Sequence, residues 1–153
     1  MGAAQRKTAE EIELIEDGHP KKPKVLITDD QANFGKVMKG FLDKFGYEVV
    51  FVECKDEAIA RLREINPDVV TTDLTSLKMD GFEFIRLVKE FDPSIPVIAL
   101  SGNLNTRIDV NGEKARRALR LGAFDCIQKP CDGSVIRAAI ERALKTRRSP
   151  AER

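Results

Sequence analysis

The sequence predicts an α/β fold, in which a parallel β-sheet is covered by helices on both faces. Short apolar runs alternate five times with segments that have the three- and four-residue spacing of amphipathic helices. The apolar runs are continuous, which is typical of parallel strands that are buried on both faces. A length of 153 residues fits one domain, and 42% hydrophobic with 33% charged residues indicates a globular protein.

The composition argues against several classes of protein. The 26 basic and 25 acidic residues give a formal net charge of +1, so no overall charge draws the chain to nucleic acid or to an acidic membrane. No apolar run approaches the ~20 residues of a membrane span, and the N-terminus lacks a secretory signal, so we expect a cytoplasmic protein. Cys54, Cys126 and Cys131 lack C-x-x-C spacing, which argues against disulfides and thiolate metal sites.

The chain divides into three predicted parts. These are an N-terminal extension or linker at residues 1–23, a folded domain at 24–146 and a C-terminal tail at 147–153. Within the extension, Thr8 is followed three residues later by Glu11, which is the spacing of a capping box. This pattern predicts a short helix from Thr8 to Ile15.

The first half of the domain contains two predicted strand–helix units. Val25 to Thr28 is a β-rich apolar run that predicts a buried strand. A helix follows, which Gly46 ends; its apolar residues recur at spacings of three and four, and we assign its phenylalanines to packing. The apolar residues are Phe34, Val37, Met38, Phe41, Leu42 and Phe45. The second unit is a strand at Glu48–Val52 and a helix at Asp56–Ile65.

The second half contains three more units, which prolines and glycines separate. The predicted strands are Pro67–Asp73, Pro96–Ser101 and Cys126–Gln128. The predicted helices are Phe82–Phe91, Lys114–Leu121 and Ser134–Leu144. A long polar loop through Asn111 and Gly112 precedes the helix Lys114–Leu121. The phenylalanines of the helix Phe82–Phe91 are also assigned to packing.

Polar side chains stand at the carboxyl ends of four of the predicted strands. They are Asp29 and Asp30 on the first, Asp73 on the third, Ser101 on the fourth and Lys129 on the fifth. Open parallel sheets bind ligands beyond these ends, so we expect one shallow pocket that contains all five side chains. Clustered carboxylates raise one another's pKa unless a cation neutralises them. Oxygen ligands suit Mg²⁺, and a lysine with a hydroxyl suits a phosphoryl group.

The motifs that contain these residues stand in a specific order. They are Val25-Leu26-Ile27-Thr28-Asp29-Asp30, Pro67-Asp68-Val69-Val70-Thr71-Thr72-Asp73-Leu74, Met79-Asp80-Gly81-Phe82-Glu83, Ser101-Gly102 and Lys129-Pro130. Each motif alone is a weak signal, but together they resemble the receiver domain of two-component response regulators. The resemblance covers Lys24 to Leu144, about four-fifths of the chain.

The resemblance implies a flavodoxin-like, doubly wound sheet of five parallel strands in the order 2-1-3-4-5, with five helices. It implies that Asp73 accepts a phosphoryl group from a phosphohistidine. It also implies a Mg²⁺ cofactor, held by Asp29, Asp30, Asp73 and the backbone carbonyl of Thr75. Asp30 would bind the ion directly, and Asp29 would do so mainly through water.

The same resemblance makes Ser101 and Lys129 the groups that bind the phosphoryl oxygens, and with Asp73 they complete the catalytic set. The peptide bond before Pro130 is expected to be cis. The implied partners are a sensor histidine kinase or a phosphotransfer protein, and an output protein or domain of unknown identity. A homodimer through the face of the fourth and fifth predicted helices is also implied. Such a protein catalyses its own phosphoryl transfer and dephosphorylation and is not a turnover enzyme.

Three features depart from the family's usual pattern. Leu77 stands where the loop after the phosphoacceptor usually has proline. Cys126 stands three residues before Lys129, where an aromatic switch residue is common. The segment between Ser101 and Lys129 is longer than usual by several residues. We therefore expect unusual output contacts.

The sequence is also compatible with other functions. A degenerate receiver that docks partners regardless of phosphorylation would fit Cys126 and the longer loop. An aspartyl-nucleophile phosphatase also uses strand-end carboxylates, Mg²⁺ and a lysine, but it normally has two aspartates two residues apart, whereas Asp29 and Asp30 are adjacent. A flavin-binding protein fits less well, because no hydroxyl- and glycine-rich phosphate loop follows the first strand.

Simpler interpretations exist for single residues. Asp29 and Asp30 alone would suit a helix N-terminus, so the metal-site hypothesis depends on their joint placement with Asp73 and Lys129. The C-terminal basic run around Arg142 is more typical of a solvated helix face than of a nucleic-acid surface, because no aromatic residues interleave it. We expect neither a nucleic acid nor a membrane as a partner.

Overall fold

A five-stranded parallel sheet forms the centre of the computed structural model, which describes residues 15–16, 19–74, 79–102 and 112–146. Its strands are β3 (Lys24–Thr28), β4 (Glu48–Phe51), β5 (Val69–Asp73), β6 (Val97–Ser101) and β7 (Asp125–Gln128). Two short strands, β1 (Ile15–Glu16) and β2 (His19–Pro20), pair antiparallel before it. The helices are α1 (Ala32–Asp43), α2 (Lys55–Ala60), α3 (Leu62–Ile65), α4 (Gly81–Phe91), α5 (Glu113–Arg120) and α6 (Gly133–Thr146).

The strand order across the sheet is β4-β3-β5-β6-β7, which confirms the predicted order 2-1-3-4-5. Val25 near the start of β3 lies opposite Val49 on one side and Val69 on the other, so β3 lies between β4 and β5. On the other half of the sheet, Asp73 lies opposite Leu100. The strand order therefore reverses between β3 and β5, where a doubly wound sheet opens a crevice at its carboxyl edge.

Side chains of the sheet alternate between two apolar cores. Leu26 of β3 points to the core that contains Phe84 of α4, whereas its neighbour Val25 points to the core that contains Ile136 of α6. All of these side chains are fully buried. Helices thus cover both faces of the sheet, which explains why its strands are continuously apolar.

The close approach of α4 to the end of β5 requires a glycine. Asp80 caps α4 by accepting a hydrogen bond from the Glu83 amide at 2.8 Å, and Gly81 is the first residue of the helix. A Cβ at Gly81 would lie 2.5 Å from the Leu74 Cα and closer still to the Asp73 carbonyl oxygen. The start of α4 therefore packs directly on the backbone that follows β5.

The described residues contain six helices where the sequence predicts five in the domain, because the predicted helix Asp56–Ile65 is interrupted. At Arg61 the backbone has φ −103° and ψ 6°, which separates α2 from α3. The left-handed Asn66, with φ 50°, then ends α3. The interruption leaves α2 with only six residues.

The assignment of the phenylalanines to packing was wrong at two positions, Phe45 and Phe91, and one other apolar residue of α1 is exposed. Val37 is 70% exposed, since the buried stripe of α1 runs through Met38 and Leu42. Phe45 lies beyond the end of α1 and packs against Phe41 with the two rings tilted, their centroids 4.9 Å apart. Phe91, the last residue of α4, is also exposed.

The predicted N-terminal helix differs from the structure at its last residue. Ile15 belongs to β1 and pairs with Pro20 of β2, and residues 8–14 of the predicted helix lie outside the described residues. The predicted tail at 147–153 also lies outside them. Among the described residues, no helix has both the length and the apolar character that a membrane span requires.

We predict opposite effects for two glycine-to-alanine substitutions. Gly81→Ala should lower the free energy of unfolding by about 1–3 kcal/mol, because the new methyl group overlaps backbone atoms. Gly40→Ala, inside α1, meets no atom within 4 Å and should raise it by about 0.5–1 kcal/mol through helix propensity. Urea denaturation measures both. Equal stability of the two variants would contradict the packing of α4 on β5.

Candidate functional site

Polar residues converge at the carboxyl edge of the sheet because parallel strands end on the same side. Asp29 and Asp30 follow β3, and Asp73 is the last residue of its neighbour β5. Ser101 ends β6, one residue beyond the position opposite Asp73, and Lys129 follows β7. The structure thus brings four of the five strand ends, with their polar residues, to one edge of the sheet.

Asp29 and Lys129 form a buried ion pair. The Lys129 ammonium donates to Asp29 Oδ2 at 2.6 Å and to Gln31 Oε1 at 3.2 Å. It also lies 4.0 Å from the centre of the Phe34 ring. The other oxygen of Asp29 accepts the Gln31 amide at 2.8 Å, which fixes the turn into α1. Asp29 therefore serves the turn as well as the charge cluster.

The three carboxylates of Asp29, Asp30 and Asp73 form one cluster. Their oxygen atoms lie within 4.8 Å of one another. Asp29 and Asp73 are buried, whereas the Asp30 side chain is 40% exposed at the rim. Burial, the largest effect, and a hydrogen bond with Asp30 raise the pKa of the Asp73 carboxyl well above its ordinary value, against the opposing effect of the Lys55 ammonium. An ionised Asp73 therefore depends on nearby cations.

The donor set of this cluster fits a hard divalent cation. Three carboxylates supply oxygen ligands, which Mg²⁺ prefers, and the exposed Asp30 leaves the cluster open to solvent on one side. A fourth ligand was predicted from the Thr75 carbonyl, which lies outside the described residues. Asp29, Asp30 and Asp73 are thus the described residues that could hold the ion.

Ser101 and the Lys129-Pro130 segment lie at the same edge of the sheet, at the ends of β6 and β7. Ser101 is buried, and its carbonyl accepts the Lys129 amide at 2.8 Å, which joins the ends of β6 and β7. The Lys129-Pro130 peptide bond is cis, as the resemblance implies. The roles of Ser101 and Lys129 toward a phosphoryl group stay predictions.

Lys55 is a site residue that the sequence analysis missed. It is the first residue of α2, just after β4, and its side chain is 1% exposed. Its ammonium donates to Asp73 Oδ1 and lies 3.8 Å from Asp30 Oδ1. A signal was available, since β4 ends at the same edge of the sheet as the other strands and Lys55 follows that end within a few residues.

Removal of Lys129 should destabilise the fold. In Lys129→Met, the buried Asp29 carboxylate loses its countercharge, so the free energy of unfolding should fall by about 3 kcal/mol or more. Lys39→Met breaks an exposed ion pair with Asp43 and should cost no more than about 0.5 kcal/mol. Urea denaturation measures both.

The double variant Asp29→Asn/Lys129→Met checks the cause of that loss. It removes the unpaired charge and should recover part of the stability lost in Lys129→Met. Equal losses in Lys129→Met and Lys39→Met would contradict a stabilising role for the buried pair.

Comparisons with known proteins agree with this geometry. The sequence profile described as response regulator receiver domain matches residues 25–141. The chemotaxis protein CheY of Thermotoga maritima is 32% identical over 125 residues, which are 80% of this chain and 98% of that protein. The nitrogen assimilation regulatory protein NtrX of Azorhizobium caulinodans is 31% identical over 126 residues, 81% of this chain and 26% of that protein. The chain therefore spans about a quarter of this NtrX and nearly all of this CheY.

Solved structures show the same architecture. The crystal structure of a response regulator receiver domain protein from Clostridium thermocellum superposes with a TM-score of 0.72 at 29% identity, over 80% of this chain and 94% of that one. Receiver domains work with sensor kinases and output domains, and they generally bind Mg²⁺ through an acidic pocket. The cluster of Asp29, Asp30 and Asp73 has this character. The chain belongs to the response regulator receiver domain family of two-component systems.

Proposed function

We propose that Asp73 accepts a phosphoryl group from a phosphohistidine of a sensor histidine kinase or a phosphotransfer protein. The observation that carries this proposal is the position of Asp73. Its carboxylate ends β5 within 4.8 Å of the Asp29 and Asp30 carboxylates, beside an edge to which Ser101 and Lys129 also come. A nucleophile, candidate metal ligands and a cation thus lie at one edge of the sheet.

The transfer is a displacement at phosphorus. A carboxylate oxygen of Asp73 attacks the phosphorus atom, and an acyl phosphate forms as the phosphorus–nitrogen bond breaks. The electron pair of that bond stays on the imidazole nitrogen, which takes up a proton. The reaction therefore asks the protein mainly to position the groups and to neutralise charge.

The residues of the pocket divide this work. Lys129 holds a fixed positive charge, now paired with Asp29, that can contact one phosphoryl oxygen, and the Ser101 hydroxyl donates to another. Mg²⁺, when bound by Asp29, Asp30, Asp73 and the Thr75 carbonyl, supplies charge neutralisation for the carboxylates and the phosphoryl oxygens. The open rim at Asp30 gives the donor access to the pocket.

A cleft beside Lys129 gives room for the donor. It measures about 480 Å³ and is lined by Gln31, Ala32, Asn33, Phe34, Lys129, Pro130 and Cys131. Its mixture of apolar and amide groups suits an imidazole ring that approaches from a partner helix. The cleft borders the pocket at Lys129, and in this proposal the kinase or phosphotransfer protein docks over it.

Phosphorylation shifts the face of α5 and α6 between two populations, and this face contacts the output protein or a second copy of the chain. Leu119 of α5 and Val135 of α6 are large apolar side chains exposed on these helices, as an interaction surface requires. We place this activity in the cytoplasm. In the same proposal residues 24–146 are the receiver, 1–23 an extension and 147–153 a tail.

Labelling with a small phosphodonor tests the proposal. With Mg²⁺ and acetyl phosphate, intact-mass spectra should show one added phosphoryl group on the wild-type chain and none on Asp73→Asn, because the amide is not a nucleophile. Asp43→Asn, which changes an exposed carboxylate on α1, should be labelled like the wild type. Equal labelling of Asp73→Asn would place the phosphoryl group elsewhere and reject the proposal.

A second candidate function is a receiver that docks its partner without phosphorylation. The Lys55–Asp73 ion pair favours it, since the candidate nucleophile is already bound by a cation. The same experiment distinguishes the two functions. A wild-type chain that stays unlabelled while folded would favour the docking module.

A further inference from the structure

Lys55 is a buried lysine whose position is not explained by the helix that contains it. It is the first residue of α2, and the N-terminus of a helix carries a partial positive charge that favours acidic residues. The next two residues, Asp56 and Glu57, follow this preference and are exposed. Lysine is rarely buried unless it is paired, so the reason for its burial lies with its partners.

Those partners are two of the three carboxylates of the acidic cluster. The Lys55 ammonium donates to Asp73 Oδ1, and it lies 3.8 Å from Asp30 Oδ1. The same two carboxylates are the ones that should bind a divalent cation directly. An ammonium ion in contact with both stands where that cation must bind.

The charge balance of the pocket changes with Lys55. Three carboxylates together with Lys129 leave two net negative charges, which a divalent cation matches. With Lys55 in place, one net negative charge is left. The pocket then attracts a divalent cation less strongly, because the Lys55 ammonium, a unit positive charge a few ångströms away, repels the cation.

We propose that Lys55 competes with the divalent cation for the Asp30 and Asp73 carboxylates. In the metal-free protein Lys55 neutralises the pocket, and metal binding requires its ammonium to leave Asp73. This inference concerns the metal site of the function proposed above and rests on that site. Lys55 therefore sets the metal concentration at which the receiver becomes competent for phosphoryl transfer.

The surroundings of Lys55 allow such an exchange. Asp30, its second partner, lies at the rim with a 40% exposed side chain, so the ammonium can move toward solvent along this carboxylate. Lys129 is held differently, since it contacts Asp29, Gln31 and the Phe34 ring. The two lysines thus differ in how readily they give up their carboxylate.

Metal binding to a charge-neutral variant tests the proposal. Lys55→Met keeps the length of the side chain and removes its charge, and Lys39→Met makes the same change on the surface of α1. Mn²⁺ is the probe, because free Mn²⁺ can be counted by electron paramagnetic resonance, and Mg²⁺ is then measured by competition. Thermal melts in EDTA and in Mg²⁺ show whether each variant is folded.

We expect Lys55→Met to bind Mn²⁺ and Mg²⁺ at least about tenfold more tightly than the wild type, because one nearby positive charge is gone. Lys39→Met should bind as the wild type does. Mg²⁺ should also raise the melting temperature of Lys55→Met by more than that of the wild type. A folded Lys55→Met with unchanged or weaker metal affinity would overturn the proposal.

A measurement on the wild-type protein covers the case in which Lys55→Met does not fold. In a sample with ¹⁵N-labelled lysine, the Nζ resonance of Lys55 should shift as Mg²⁺ is added, and the midpoint of this shift should coincide with the midpoint of metal binding. The Nζ resonance of Lys39 should not shift. A Lys55 resonance that does not shift at saturating Mg²⁺ would overturn the proposal.

The failure of this inference is distinguishable from the failure of the proposed function. If acetyl phosphate labels Asp73 while Lys55→Met leaves metal affinity unchanged, the receiver function stands and the competition is rejected. If Lys55→Met tightens metal binding while no labelling occurs, the competition stands and the phosphoacceptor role is rejected.

Discussion

Neutralisation of three carboxylates at one edge of the sheet is the constraint on which this structure depends. Asp29, Asp30 and Asp73 lie within 4.8 Å of one another, and two of them are buried. Removal of an ion from water costs several kcal/mol even after relaxation, so such a cluster is stable only with cations in contact. In the described part of the chain, Lys129 supplies such a contact to Asp29, and Lys55 supplies contacts to Asp73 and Asp30.

The fold creates this constraint through topology. Parallel strands all end at one edge, and the reversal of strand order between β3 and β5 puts the ends of two neighbouring strands beside an open crevice. Gly81 brings the start of α4 onto the backbone after Asp73, which leaves little freedom to that strand end. Buried strands therefore hold the acidic residues together. Because the backbone cannot move to separate the carboxylates, counterions must neutralise the repulsion between them.

Most of the fold and part of the site can be predicted from the sequence, for an identifiable reason. Continuous apolar runs predict the strands. Because parallel strands end at one edge of the sheet, the strand ends also predict that Asp73 and Lys129 lie at a common edge. Helical periodicity gives the arc that faces the core but not its limits, which is why Phe45 and Phe91 were assigned to packing although they are exposed. The end of β4 places Lys55 near the same edge, but the burial of its side chain depends on how far its ammonium reaches across the crevice, which tertiary packing sets.

The two lysines show how similar ion pairs come to differ in function. Lys129 has a carboxylate, an amide oxygen and an aromatic face as partners, and the cation–π contact alone contributes about 0.5–2 kcal/mol. Lys55 contacts two carboxylates, one of them at the solvent-exposed rim. A divalent cation on Asp30 and Asp73 replaces the charge that Lys55 provides there, whereas it does not replace the contacts of Lys129 with Gln31 and Phe34. Lys129 is therefore a permanent part of the pocket, and Lys55 is the cation that can be exchanged.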